Sequence, residues 1–448
     1  MIGASKTRLR PVGALGIMLG LAGAFVGYNA SAQDVTITNA RLVIGDGGEP
    51  ISGGTVVVRG GNVVYAGPAG GAPAGGGTAV DAGGAFVTPG IFATVTTLGL
   101  ADVTAVEETN DIAARGTPFS AALDASTSIN PTSQHILVHK VAGITRAATA
   151  MMPSGSIFAG QGAIIDLDGD ANPVMQARAF QMINLGEAGA AQAGGSRPAA
   201  HALLRAALRE AQALVGKTGI PQTTAIDKAD EVLLSRFDAE ALVPVVTGRQ
   251  KLYVEAERMA DIRAVLALKA EYPRLDLVLV GATEGWLVAN DIAAAGVPVI
   301  ANGLLDLPET FEQLGATQSN AGRLARAGVK VAINAATMQN PRRLQQVAGN
   351  LVALAKMPGA AGMTWGQAFA AISSVPAEIS GMGGKAGVLK PGAVGDVVIW
   401  TEDPLEAGAV PSAVFIAGRA QDLTNHQTRL RDRYKTLDES ARPKAYDW

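Results

Sequence analysis

Between residues 87 and 386 the chain alternates short apolar, β-branched runs with longer stretches of helical periodicity, and this alternation narrows the fold more than any other feature. Strand-like runs fall at 91–97, 144–150, 162–167, 180–185, 251–256, 275–280, 297–301 and 329–334. Helix-like stretches fall at 127–142, 199–215, 259–272, 285–295, 308–314, 320–328, 341–355 and 365–373. Strand followed by helix builds parallel sheets. Eight strands over this span fit an α/β fold of the TIM type, a (β/α)8 barrel, better than an open doubly wound sheet. No G-x-G-x-x-G or phosphate loop lies in a strand-to-helix turn, so a nucleotide fold has no local support.

Both ends of the chain read as β structure. Short runs at 35–38, 41–44, 55–59 and 62–66 are separated by Gly45-Asp46-Gly47-Gly48 and Gly60-Gly61-Asn62, both hairpin signals. Residues 68–77 are a Gly/Ala/Pro loop, and β-like runs return at 393–400 and 413–419. The expected organisation is a small β-sandwich assembled from 33–86 and 387–421 around a barrel at 87–386. A charged tail covers 422–448.

Residues 1–32 read as a signal peptide. Lys6, Arg8 and Arg10 precede an apolar run from Val12 to Val26, and Ala30-Ser31-Ala32 fits a cleavage site. A retained N-terminal anchor is the alternative, but the run is shorter than a bilayer span. The expectation is export, to the periplasm or beyond, with cleavage near Ala32 and no stable membrane span afterwards. Cleavage removes three basic and no acidic residues, leaving 33 basic against 39 acidic, a net charge of −6. That balance argues against nucleic acid as a partner. Cysteine is absent, which excludes disulfides, thiolate metal sites and a thiol nucleophile.

Thr88-Pro89-Gly90 opens the first barrel run. Gly387-Val388-Leu389-Lys390-Pro391-Gly392 leads into Gly395-Asp396-Val397-Val398 near the other end. These motifs resemble the T-P-G and G-x-L-x-P-G-x-x-A-D-hydrophobic signatures of the amidohydrolase superfamily, with Gly395 at the usual Ala. The resemblance covers most of the mature length. It implies a barrel with a sandwich built from both termini. It also implies hydrolysis of C–N bonds in cyclic amides, or of peptide-like bonds as in prolidase-like and imidazolonepropionase-like members. Such a site holds one or two Zn²⁺ with H-x-H on strand one, a carboxylated Lys or a Glu on strand four, His on strands five and six, and Asp on strand eight. The metal lowers the pKa of bound water.

This chain departs from that ligand set. Val95, Thr96 and Thr97 stand at H-x-H. Strand four, 180–185, offers no Lys, and Glu255 stands where strand five should supply His. Strand six, 279–284, has no His, and the eighth strand has Ala where Asp belongs. The four histidines lie elsewhere. His135 and His139 sit one helical turn apart and read as a surface or half-buried pair, with a metal site as the alternative because that spacing can bind metal; His201 reads as a helix-end residue and His426 as a solvated tail residue. No G-x-S-x-G is present.

The resulting expectation is a divergent member without a catalytic metal or other cofactor, acting as a binding protein or as the partner of an active homologue. The alternative is an active hydrolase with an atypical carboxylate-based or metal-independent site, for which Glu255, Glu257 and Glu284 are the catalytic candidates. Salt bridges with Arg258 are the plainer account of the same carboxylates. Thr97, Asn110, Asp111, Arg258, Asn302, Asn334 and Arg342 are the polar groups expected around a small molecule at the barrel mouth. Gly194-Gly195-Ser196-Arg197 reads as a helix entrance capped by Ser196 that also offers N–H groups to an anion. A homo-oligomer, or a hetero-oligomer with an active homologue, is the assembly expected.

Overall fold

A computed structural model describes residues 33–217, 233–334, 338 and 340–436. Residues 1–32, read above as a signal peptide, residues 335–337 where the eighth strand was expected to end, and the last part of the tail lie outside the described residues. No described helix is long and apolar enough to cross a membrane.

The chain begins with β1 (Val35–Leu42), β2 (Ile51–Arg59), β3 (Asn62–Pro68), β4 (Thr78–Asp81) and β5 (Phe86–Pro89). Then follow β6 (Ile91–Thr96), β7 (Ile144–Thr149), β8 (Phe158–Asp166), β9 (Val174–Asn184), β10 (Lys251–Ala256), β11 (Leu277–Gly281), β12 (Val299–Asn302) and β13 (Val331–Asn334). The chain ends with β14 (Val397–Trp400), β15 (Pro411–Ile416) and β16 (Arg419–Ala420). Strands β6 to β13 form one sheet in sequence order. It curls until β13 lies beside β6. Residues 371 and 372 bridge that seam, Ile333 N donating to Ala371 O and Phe92 N to Ile372 O. The result is a nearly closed barrel.

All eight expected strand runs become strands, but the sheet is not all parallel. β8 pairs antiparallel with both β7 and β9. The physical reason is connection length. Only residues 150–157 join β7 to β8, and only 167–173 join β8 to β9. A parallel crossover needs about a dozen residues or more, usually with a helix. Other parts of the barrel do alternate with helices, among them Gln134–Lys140, Arg197–Ala213, Met259–Glu271, Ala289–Ala295, Asn320–Arg326 and Leu344–Leu354.

The second sheet runs β16-β15-β14-β5-β1-β2-β3, with β4 beside β1, and so draws on both ends of the chain. The expected runs at 35–38 and 41–44 are one strand. Asn39 takes a positive φ of 52° and the ladder slips there, so the strand bulges instead of ending. The T-P-G motif is the hand-over between the sheets. Thr88 Oγ1 accepts from Trp400 Nε1 at 2.9 Å in the second sheet. A Cβ on Gly90 would lie 2.0 Å from Thr145 Oγ1 on β7, so only glycine lets the two backbones approach.

The other motif is a clamp. Asp396 accepts from Arg146 Nε at 2.6 Å and Nη2 at 3.0 Å, and from Ala417 N at 2.9 Å. Both charged residues are buried. A fork-to-fork pair with a further N–H is the geometry in which buried charge is tolerated. It ties barrel strand β7 to the second sheet.

Inside the barrel, Phe92, Phe180, Met182, Tyr253, Ile300 and Ala332 fill the lumen with Ala377, Ile379 and Met382. Phe180 and Tyr253 stack at 4.2 Å.

Candidate functional site

Side chains alternate in and out along a strand. Because Tyr253 faces the lumen, Glu255 and Glu257 continue the same inward row past the end of β10. Phe180 and Met182 lead in the same way to Asn184, Ile300 to Asn302, and Ala332 to Asn334. These ends meet in a cavity of about 140 Å³ lined by Val95, Met182, Glu255, Glu257, Asn302 and Asn334, among others. At about 30 Å³ per water it has room for roughly four or five waters. A larger hollow of about 780 Å³ beside β1 is lined by Gly, Ala, Thr, Pro and Asn39 and carries no titratable group.

Two half-buried carboxyls dominate the mouth. Burial and the neighbouring Glu257 charge push Glu255 up to about 7, against a hydrogen bond from the Asn184 amide. Asn184 is held for that role, since its Oδ1 accepts from Gly186 N at 2.9 Å and Gly189 N at 2.8 Å. Glu257 is also raised by burial, although Thr283 donates to its Oε2 from N at 2.9 Å and from Oγ1 at 2.6 Å. Gly281 makes room for it: a Cβ there would lie 2.2 Å from Glu257 Oε1, and φ is +83°. A third carboxylate, Glu312, is raised by burial and held by Glu187 N at 2.7 Å and Arg197 Nη2 at 2.9 Å. A carboxyl titrating near neutrality can give or take a proton at physiological pH.

The expected binding residues divide. Asn302 and Asn334 join the Glu255/Glu257 cavity. Thr97 is buried beside it, its N–H donating to Met338 O at 3.2 Å. Glu284 does not face the mouth: it accepts from Met259 N at 2.9 Å and Gly315 N at 3.0 Å, stapling two loops. Arg258 pairs with Asp261 at 3.0 Å at a helix start, not with the mouth carboxylates. Asn110 organises its own loop, bonding Thr104 O and Ile112 N, and Asp111 is exposed. Arg342 lines a different cavity. The Gly194-Gly195-Ser196-Arg197 entrance is capped by Ser196, and Arg197 bonds Asp261 and Glu312 of the chain itself. Asn184, Thr283, Gly281 and Glu312 escaped the sequence reading. Asn184 was within reach by the period-two row from Phe180; Glu312 is separated from Glu257 by two strands and carries no local signal.

His201 lies within the helix Arg197–Ala213, and Ser196, not His201, caps that helix. His139 is buried and His135 half-buried, while His426 is exposed but bonded through Nδ1 to Gln134 Oε1 at 2.8 Å. None of the four lines the mouth cavity.

Zinc fits poorly at this mouth. Its donors are two carboxylates and neutral amides, and no imidazole stands on the described strand ends. Among the described residues no three His, Cys, Asp or Glu side chains are spaced to hold a metal ion. At the first H-x-H position Val95 takes φ 53°, an uncommon conformation for a β-branched residue, and the β6 ladder slips between Ala93 and Thr96.

An amidohydrolase from Thermotoga maritima MSB8 superposes with a TM-score of 0.73 at 20% identity, covering 86% of this chain and 99% of that one. The fold is that of the amidohydrolases. Molinate hydrolase superposes at 0.52 with 15% identity over 93% of this chain and 99% of its own. A prolidase complexed with N-methylphosphonate-L-proline superposes at 0.51 with 17% identity over 86% and 99%. In sequence, the amidohydrolase tasK of Hapsidospora irregularis is 42% identical over 60 residues, which are 13% of this chain and 6% of that protein. The chain therefore spans a small fraction of that relative. No family model matches.

Proposed function

We propose that this is an exported amidohydrolase-superfamily protein whose zinc centre has been lost and whose barrel mouth binds a small polar molecule. The barrel is then a (β/α)8 barrel altered at its third strand, and the second sheet is the family sandwich. One observation carries the reading. The inward row at the strand ends is Asn184, Glu255, Glu257, Asn302 and Asn334, a set of amides and two carboxyls, with Glu255 where the resemblance implies the strand-five imidazole. Such groups orient a neutral or cationic ligand by hydrogen bonds. Export rests on the residue pattern of 1–32. A non-catalytic role beside an active homologue follows the same logic.

The test is metal content after purification without chelator, combined with turnover on amide and dipeptide panels. The expected result is no stoichiometric Zn, Mn or Fe and no turnover. Stoichiometric metal that disappears in Glu255→Ala would overturn the proposal.

A second reading is favoured by the Glu255 carboxyl, pushed up to about 7. It makes the mouth a metal-independent acid/base site, with Glu255 exchanging a proton with the bound molecule. Metal-free turnover that is abolished by Glu255→Gln, with a pH–rate limb near 7, would select it.

A further inference from the structure

The mouth cavity has two kinds of wall. Glu255, Glu257, Asn302 and Asn334 supply its polar groups, and Val95, Met182, Val280, Ile300 and Met338 supply apolar ones. The space of about 140 Å³ is only some 6 Å across, so one small molecule inside it reaches all of these walls. The carboxyls are open to that space: Glu255 and Glu257 are both half-buried and both line it. No described Lys, Arg or His lines it.

The supply of donors decides the charge of the ligand. An ionised carboxylate offers about four lone-pair sites. Glu257 takes the N–H and the hydroxyl of Thr283 on Oε2 and a hydrogen bond from the Gln313 side chain. Glu255 takes the amide of Asn184. Between them these two carboxylates keep about half of their roughly eight sites unfilled. An ammonium carries three donors and no acceptor. Placed between Glu255 and Glu257 it fills open sites and offsets the repulsion of two like charges. A ligand carboxylate would instead add a third negative group with no cation to meet it. A metal ion finds too few ligands, since among the described residues no three His, Cys, Asp or Glu side chains are spaced to hold one.

The apolar walls set the remainder of the molecule. At about 30 Å³ per water-sized group the space takes four or five non-hydrogen atoms. A short hydrocarbon packs against Val95, Met182 and Ile300 where water would leave them wetted. An alkylammonium keeps its charge at neutral pH, as the lysine side chain does. We propose that the barrel mouth binds a small alkylammonium ion of about four or five non-hydrogen atoms and rejects the α-amino acid that carries the same side chain. This assignment rests on the metal-free binding site proposed above and names its ligand.

Isothermal titration of the full chain, purified without chelator and assayed for metal, tests it. Isobutylammonium, isobutanol and valine share one carbon skeleton and differ in charge. At pH 8 isobutylammonium is expected to bind with a Kd of about 1 mM or tighter, and isobutanol and valine at least about tenfold more weakly. Glu255→Gln is expected to weaken isobutylammonium about tenfold, the loss of one charge-assisted hydrogen bond, and to narrow its lead over isobutanol. Glu257→Gln serves as the second variant should the first fail to fold. Metal-free protein that ignores isobutylammonium, or binds isobutanol or valine as tightly, overturns the alkylammonium ligand and leaves the metal-free mouth standing. A folded variant that binds isobutylammonium unchanged does the same. Stoichiometric metal in the sample overturns both.

Discussion

At the joint between the sheets Asp396 meets a guanidinium; at the barrel mouth Glu255 meets another carboxylate. Both groups lie largely out of water. Asp396 has two bonds from Arg146 and one from Ala417 N, so its charge is matched where it sits. Burial and the repulsion of Glu257 drive Glu255 toward the neutral form, against the single amide of Asn184. The joint is a scaffold feature built to hold charge. The mouth is built to hold a proton. This contrast separates the joint, where the two sequence motifs lie, from the mouth, where amides and carboxyls stand.

The largest expected effect lies at the joint. Asp396→Ala strands Arg146 without its partner and should cost about 3–5 kcal/mol of stability. Urea unfolding followed by circular dichroism measures it, and a midpoint equal to that of the unaltered chain would erase the distinction drawn here. Replacing both residues by apolar ones should recover most of the loss, because no unpaired charge then remains buried.

Next comes the mouth. Glu255 has its folded pKa raised from 4.5 to about 7, so the folded state binds the extra proton between those values. Its stabilising contribution is complete below pH 4.5 and is lost as pH rises through 7. At about 1.4 kcal/mol per unit, the loss reaches on the order of 3 kcal/mol by pH 8. Glu255→Gln should flatten that slope and make the variant the more stable protein at pH 8. Parallel stability–pH curves for the two proteins would count against a protonated Glu255.

Gly281→Ala should cost about 1–3 kcal/mol, through the positive φ and the crowding of Glu257. A matched drop in Glu257→Ala/Gly281→Ala would assign the cost to the backbone, and a partial rescue to the clash. The smallest effect belongs to Arg258→Ala. Its pair with Asp261 is partly exposed, and Asp261 keeps Arg197, so less than about 1 kcal/mol is expected. A loss comparable to that at Asp396 would return Arg258 to the working part of the mouth.

The barrel strands were legible because buried strands are short, apolar and β-branched wherever they pair. The direction of β8 was missed, although connection length signals it: the expected runs 144–150, 162–167 and 180–185 lie too close together for two crossover helices. Period two also made the mouth partly legible, since Tyr253, Glu255 and Glu257 fall in one row. The arrangement of Glu284, Arg258 and Arg342 was not legible. Each lies near a strand end in sequence, yet loop geometry turns each toward a different partner.

Residue order alone settled which segments become strands, where the T-P-G turn opens the barrel, and that histidine is absent from the described strand ends. Those are local facts, written in side-chain size, branching and spacing. Which charges face one another was decided only when the chain closed on itself. Arg146 and Asp396 are 250 residues apart, and Arg197 and Glu312 are 115 apart. Coulomb energy and desolvation depend on distance in space and on exclusion of water, and neither can be read along the chain.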